Sequence, residues 1–262
     1  MQKHKLEKLM ADSIDLNADL GESFGAWKMG SDSELLDIVT SANVACGFHA
    51  GDPLVMTETV RACLAKGVNI GAHPGFDDLT GFGRRRMEDP DGPKTAAAII
   101  YQIGALQAVA HTENARVTHV KLHGALANMA SEDDALASLC LNAVQSVDEK
   151  LSIVAMAATC LQSQAEKLKM PVLREVFADR AYNDDGTLVS RGTPGAVIHD
   201  PVYASERVLK MIETHSVESI NGRTVSLVPD TICVHGDNPE AVRMAGELRT
   251  GLEKAGIAVS GY

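Results

Sequence analysis

The sequence predicts an α/β fold, a parallel β/α barrel of TIM-like form with about seven strands, and three observations predict it. Strand-like apolar runs alternate with helix-like runs from one end of the chain to the other, the pattern of βα units feeding a parallel sheet. The 262 residues match the length of many single β/α barrels. Several of the strand-like runs finish on ionisable or hydrogen-bonding residues, and a parallel barrel gathers all such ends at one mouth. No Pro/Gly/Ser-rich linker divides the chain, so residues 1–262 are expected to form one barrel domain.

The elements follow in order. A first strand is expected over 14–20, "IDLNADL", where Asp15, Asn17 and Asp19 recur with the period of two that places them on one face, with Glu22 just beyond. The second, 41–48, leads to His49. Asp52 is then placed to cap a helix with Pro53 at its first position and Gly67 at its close. The third strand, 68–73, ends at His73, and an amphipathic helix is expected over 94–113. The fourth, 118–123, sets His119, Lys121 and His123 on one face and Val120 and Leu122 on the other. Ser131, with acids in the first turn behind it, is expected to cap a helix over 131–150. Strands over 151–157 and 172–178 follow, the latter running into Asp179 and Arg180. The seventh, 230–235, ends at His235 and Asp237, and a helix starts near Asn238 and Pro239. The loops 74–93 and 179–195 are long and rich in glycine and charge, as functional loops often are.

Composition narrows the classes of partner. With 45% hydrophobic and 23% charged residues the chain is an ordinary globular one, and its net charge of −11 argues against nucleic acid or an anionic membrane as the main partner. The opening "MQKHKLEKLMADS" has no apolar signal-peptide core and no run approaches the roughly 18 apolar residues of a membrane span, so a cytoplasmic location is expected. Five scattered cysteines without a C-x-x-C pair predict neither a disulfide framework nor a thiolate zinc site, and Cys46 is expected to be a buried small hydrophobe.

At the mouth, Asp19, His49, His73, Lys121, His123 and His235 are the candidate catalytic residues, and Asn17, Glu22, Arg85, Arg180 and Asp237 the candidate substrate-binding ones. Any one of them has a plainer explanation: Asp52 and Asp237 suit helix caps, and part of Arg84–Arg86 suits a solvated charge run. Four histidines at strand ends are harder to explain singly. The set fits either a divalent metal polarising water or metal-free general acid/base hydrolysis, with Asp19, His49 and His73 as a possible metal trio. Lys121 disfavours a cation unless it pairs with Asp19. The sequence lacks G-x-x-x-x-G-K-[ST], so no phosphate-binding P-loop is expected.

The stretches "DLNADLGESFGAW" (15–27), "SANVACGFHAGDP" (41–53), "IGAHPGFDDLTGFGRR" (70–85), "HVKLHGALAN" (119–128), "EVFADRAYNDDGTLVSR" (175–191) and "DTICVHGDNP" (230–239) together resemble the LamB/YcsF family of lactam-utilisation proteins. The chain departs from that family's usual pattern at Ala18, Leu122 and Ala127. The resemblance implies a seven-stranded barrel related to those of carbohydrate deacetylases. It also implies ATP-dependent opening of 5-oxoproline to L-glutamate together with separate B and C subunits, ATP being consumed by the complex. The resemblance leaves two alternatives, a stand-alone metal-dependent amidase or deacetylase and a non-catalytic binding or regulatory component.

Overall fold

The computed structural model describes residues 13–88 and 90–262. The opening segment 1–12, judged above for a signal-peptide core, lies outside the described residues. Strands β1 (Ser13–Leu20), β2 (Ser41–Ala45), β3 (Asn69–His73), β4 (Val117–Lys121), β5 (Ser152–Met156) and β6 (Val172–Phe177) pair side by side, all parallel. After an antiparallel ribbon of β7 (Ser216–Glu218) and β8 (Thr224–Ser226), β9 (Thr231–Cys233) pairs with both β6 and β1 and closes the ring. A short β10 (Ala258–Val259) lies on the outer start of β1. The seven barrel strands are the seven read from the sequence.

The strands are buried on both faces, as parallel strands roofed by helices must be. Leu16, Ala18, Leu20, Val120 and Leu122 belong to the apolar core beneath the helices. The inward face is polar. Asp15, Asn17, Asn43, His119, Lys121, Glu175 and Thr231 are all buried, and all come from barrel strands.

The helices α1 (Asp32–Leu35), α2 (Pro53–Lys66), α3 (Gly92–Thr112), α4 (Gly124–Glu132), α5 (Asp134–Val147), α6 (Cys160–Lys167), α7 (Pro201–Thr214) and α8 (Pro239–Lys254) fill the connections. The Asp52 carboxylate accepts from the N–H groups of Leu54 and Val55, Pro53 is the first residue of α2, and Gly67 closes it in the left-handed conformation at φ 68. Both ends of that helix are where the sequence puts them.

Two expected caps are corrected. Ser131 caps nothing. It is buried inside α4, and the helix expected over 131–150 is α5, whose cap is Asp133 accepting from Ala135 and Leu136. In the stretch "SEDD" either Ser131 or Asp133 can end one helix and begin the next, and burial of Ala130 and Ser131 in α4 decides for the later residue. Asp237 also caps nothing, since the side chain that accepts from Ala241 at the start of α8 is Asn238. No helix among the described residues is long and apolar enough to cross a membrane.

Candidate functional site

The site stands on a column of hydrogen bonds inside the barrel. At its base Asp15 accepts from Thr40, Ser41 and Thr231, although burial still raises its pKa. One level up, Asn17 donates to Thr231 and accepts from Asn43, whose own amide oxygen lies 3.0 Å from His119 Nε2. His119 crosses the barrel only because β3 carries Gly71 there: a Cβ at that position would lie 2.0 Å from the imidazole. Burial, then the charge of Lys121, pushes the His119 pKa down to about 3, so the ring is neutral.

Above this sits Lys121. Its ammonium donates to Asp19 Oδ1 at 3.1 Å and to Asn17 at 3.2 Å, and pairs with Glu175 Oε1 at 2.7 Å. Burial opposes its charge, but Asp19, Cys233 and Glu175 together hold its pKa well above the usual lysine value. Asp19 is pulled the other way: burial would raise it, and His73 and Lys121 bring it well below an ordinary carboxylate. The lysine is thus a satisfied charge with Asp19 and Glu175 as its counter-ions.

At the mouth, His49, His73, His123 and Glu22 converge, each with one ligand atom within 4.8 Å of the others. His73 Nδ1 lies 2.7 Å from the Lys121 carbonyl oxygen and His123 Nε2 lies 2.8 Å from the Phe82 carbonyl oxygen. A carbonyl only accepts, so both of these nitrogens carry the proton. The remaining nitrogens, His73 Nε2 and His123 Nδ1, then face each other at 2.9 Å. Two lone pairs at that distance repel unless a proton or a cation lies between them. His49 stacks on His123 with ring centroids 3.7 Å apart, and neither of its buried nitrogens has a hydrogen-bond partner among the described residues. Glu22 Oε1 is also buried without a hydrogen-bond partner among them, 3.6 Å from His49 and 3.8 Å from His123.

Burial disfavours the charged form of three members of this cluster, His49, His123 and Glu22. Burial, then the charges of His123 and His73, holds His49 well below the ordinary imidazole value. Burial, then His73, pushes His123 down to about 3. Glu22 is held well above the carboxylate range by burial and by Asp19. Gly83, at φ 61, lets the loop after β3 close over the rings, since a Cβ there would meet His49 at 2.8 Å and His123 at 2.9 Å. The set fits a divalent cation. Ligands about 2.0–2.1 Å from a tetrahedral zinc lie about 3.3 Å from each other; three of the pairs here stand 2.9, 3.6 and 3.8 Å apart and the whole set falls within 4.8 Å. Backbone carbonyls receive the second N–H of two of the rings, the arrangement that orients ligating histidines.

The opposite wall is charged. Asp179 accepts from His235 Nδ1 at 2.8 Å. Burial alone would lower His235, and Asp179 raises it above its ordinary value. Arg180 is buried, donates from Nη2 to the Val189 carbonyl at 2.7 Å, and leaves its Nε without a partner among the described residues. Between the two walls is an open cavity of about 600 Å³, lined among others by Asp19, Glu22, His73, Lys121, His123, Glu175, Arg180, His235 and Asp237.

The structure therefore brings together Asp19, Glu22, His49, His73, Lys121, His123, Arg180 and His235. Asn17 lies beneath them as a support for Lys121, and Asp237 is on the exposed rim. Arg85 is the exception: its guanidinium is exposed and paired with Asp78, while its neighbours Arg84 and Arg86 line the cavity. Glu22, rather than Asp19, completes the group with all three histidines, and Asp19 is engaged by Lys121 and by His73 at 3.2 Å. Sequence reasoning missed Glu175, Asn43 and Cys233. Glu175 had a signal, the one carboxylate in a strand apolar but for Arg174. Cys46 is buried and burial pushes its pKa up to about 12, which leaves it a thiol.

Comparison with known proteins places the family and the fold. Residues 14–262 match the model of the LamB/YcsF family. The chain is 53% identical over 252 residues to the A subunit of the 5-oxoprolinase of Gluconobacter oxydans (strain 621H), covering 96% of this chain and 98% of that protein. It is 42% identical to the lactam utilization protein from Thermus thermophilus, whose crystal structure superposes with a TM-score of 0.89 over 95% of this chain and all of that one. A family 4 carbohydrate esterase from Streptomyces lividans shares the fold at 12% identity, with a TM-score of 0.50 over 95% of this chain and 92% of that one.

Proposed function

This chain belongs to the LamB/YcsF family, and on that premise we propose that it functions as the A subunit of a 5-oxoprolinase-type enzyme, a hydrolase of a cyclic amide. The observation that carries the reading is the 53% identity over nearly the full length of both chains to a protein of that name. The reaction is the opening of 5-oxoproline to L-glutamate, driven by ATP and carried out together with the B and C subunits. A five-membered lactam is a resonance-stabilised amide, so its carbonyl must be activated or its oxyanion strongly stabilised, and ATP consumed by the assembly supplies that activation.

Within this chain the roles follow from charge. Asp19, kept ionised beside the cavity, accepts the proton of the attacking water. Lys121 holds Asp19 in place and keeps it ionised. His235, which Asp179 makes easier to protonate, gives its proton to the leaving nitrogen. Glu22, His49, His73 and His123 would hold a divalent cation of the zinc type. Such an ion supplies Lewis-acid polarisation of a carbonyl or a bound water.

The test is reconstitution. The chain with the B and C subunits cleaves 5-oxoproline only when ATP is present, and leaving the chain out abolishes turnover. Unchanged turnover without it eliminates the proposal. The histidine cluster also favours a second reading, a stand-alone metal-dependent amidase. That reading requires amide hydrolysis by the isolated chain without ATP and its loss on chelation.

A further inference from the structure

The wall that follows β6 carries a charge that no carboxylate among the described residues answers directly. Arg180 is 7% exposed. A guanidinium stays protonated in any protein setting, and a buried one is ordinarily met by a carboxylate. Among the described residues none lies within ion-pair distance of Arg180. The adjacent Asp179 directs one oxygen to His235 at 2.8 Å. One Arg180 donor, Nη2, is held by the Val189 carbonyl, which fixes the plane of the group, and Nε is buried without a partner. The loop that returns past it is pinned by bridges of Arg180 to Val197 and Tyr182 to Leu188, so the guanidinium is set in a built frame.

Its surroundings add positive charge. Arg191, from the same loop, lines the same cavity, and its repulsion follows burial as a cause of the lowered Arg180 pKa. The other cations of the cavity are already engaged or exposed. Lys121 is paired with Asp19 and Glu175, Arg86 with Glu132, and Arg84 is exposed and lies over the Phe82 ring at 4.8 Å. An anion entering the cavity is repelled by Asp19 and Glu175 on the floor and drawn to the Arg180 wall.

We propose that Arg180, with Arg191 beside it, seats an anionic oxygen group of the ligand: the carboxylate of a lactam acid, or a phosphoryl group on its activated form. The assignment rests on the reading of the substrate as a cyclic amide. In 5-oxoproline the carboxylate sits on the carbon next to the amide nitrogen. Anchoring it on the Arg180 wall sets the amide toward the histidines opposite and beside His235, which donates to that nitrogen. The two oxyanions present the same paired acceptors to a guanidinium.

Direct binding to the folded chain tests this, using calorimetry with 5-oxoproline, with 2-pyrrolidinone as the same ring without the carboxylate, and with inorganic phosphate. Arg180→Gln is expected to weaken an anionic probe by about tenfold or more, the scale of a charge-assisted hydrogen bond, and to leave 2-pyrrolidinone unchanged. Weakening of 5-oxoproline identifies the carboxylate as the seated group, and weakening of phosphate alone identifies a phosphoryl group. Because Arg180 is packed, Arg191→Gln on the exposed loop serves as a second variant, with a smaller loss in the same direction. A folded Arg180→Gln that binds both anions like the wild type overturns the proposal, as does a wild-type chain that binds neither. With the B and C subunits, a carboxylate seat raises KM for 5-oxoproline far more than it lowers kcat. A chain that binds 5-oxoproline through Arg180 yet restores no turnover with its partners refutes the functional reading and leaves this one standing.

Discussion

On the cavity wall built by β1 to β4, three imidazoles, two of them (His49 and His123) held neutral by burial, converge with a carboxyl of raised pKa. On the wall that follows β6, a buried guanidinium and its neighbour turn positive charge toward the same space. Each wall lacks what would satisfy it: the first a proton or a cation, the second an anion. Lys121, between them, lacks nothing, since its ammonium meets two carboxylates, an amide oxygen and a thiol. The same βα scaffold thus carries a buried charge met by its counter-ions between two walls whose His49, Glu22 and Arg180 atoms are buried without a hydrogen-bond partner among the described residues.

The largest effect is expected where that contrast makes the middle residue structural. Lys121→Met removes the counter-charge of buried Glu175 and of part-exposed Asp19, and breaking a buried pair such as that with Glu175 costs about 3–5 kcal/mol. Chemical denaturation reads this directly. A loss below about 1 kcal/mol, the scale of an exposed ion pair, would show that the carboxylates reach water and that Lys121 is no different from the two walls.

His123→Ala is expected to do the reverse, lowering turnover of the reconstituted enzyme by about a hundredfold or more, the scale of a lost acid/base or ligand group, while leaving the fold intact. His123 faces His73 at 2.9 Å, and its removal frees only the part-buried Phe82 carbonyl that its Nε2 met. Equal turnover of variant and wild type would make the cluster a packing feature.

The contrast also explains what could be read from the sequence. The alternation in "IDLNADL" and "THVKLH" made the inward polar face legible, and parallel barrel geometry then put Asp19, His73, Lys121 and His123 together. Partnership was not legible, because it depends on which strand lies opposite. Glu175 meets Lys121 through strands β4, β5 and β6 in sequence order, yet nothing local to "VLREVFA" says that its carboxylate points inward at a lysine 54 positions earlier. Nor could three consecutive arginines reveal which two line the cavity. Past the turn through Phe82 and Gly83, both at positive φ, Arg84 lies exposed at the cavity rim and Arg85 is left to Asp78.

A smaller effect sharpens the charged wall. Asp179→Asn removes the carboxylate that raises His235, so the His235 pKa falls toward and below its ordinary 6.5. The pair's contribution to stability has two limits. His235, raised on folding, contributes below its unfolded pKa and loses this as pH climbs through the folded one. Asp179, lowered on folding, contributes above 3.8 and loses this as pH falls through its folded value. The wild type is therefore favoured over Asp179→Asn most between those limits. NMR titration of the His235 ring protons checks the shift, and an unmoved midpoint would show that Asp179 does not set the proton affinity of His235.

The smallest effect belongs to Arg85, which shares its loop with the cavity-lining Arg84 and Arg86. Its side chain is 68% exposed and its guanidinium is met by Asp78 and Thr80. A solvated, partnered arginine has neither the burial nor the unpaired donor that distinguish Arg180. Arg85→Ala is accordingly expected to leave kcat and KM of the reconstituted enzyme within error of the wild type. A raised KM for 5-oxoproline in this variant would mean that the loop after β3, and not the one after β6, reaches the anionic end of the ligand.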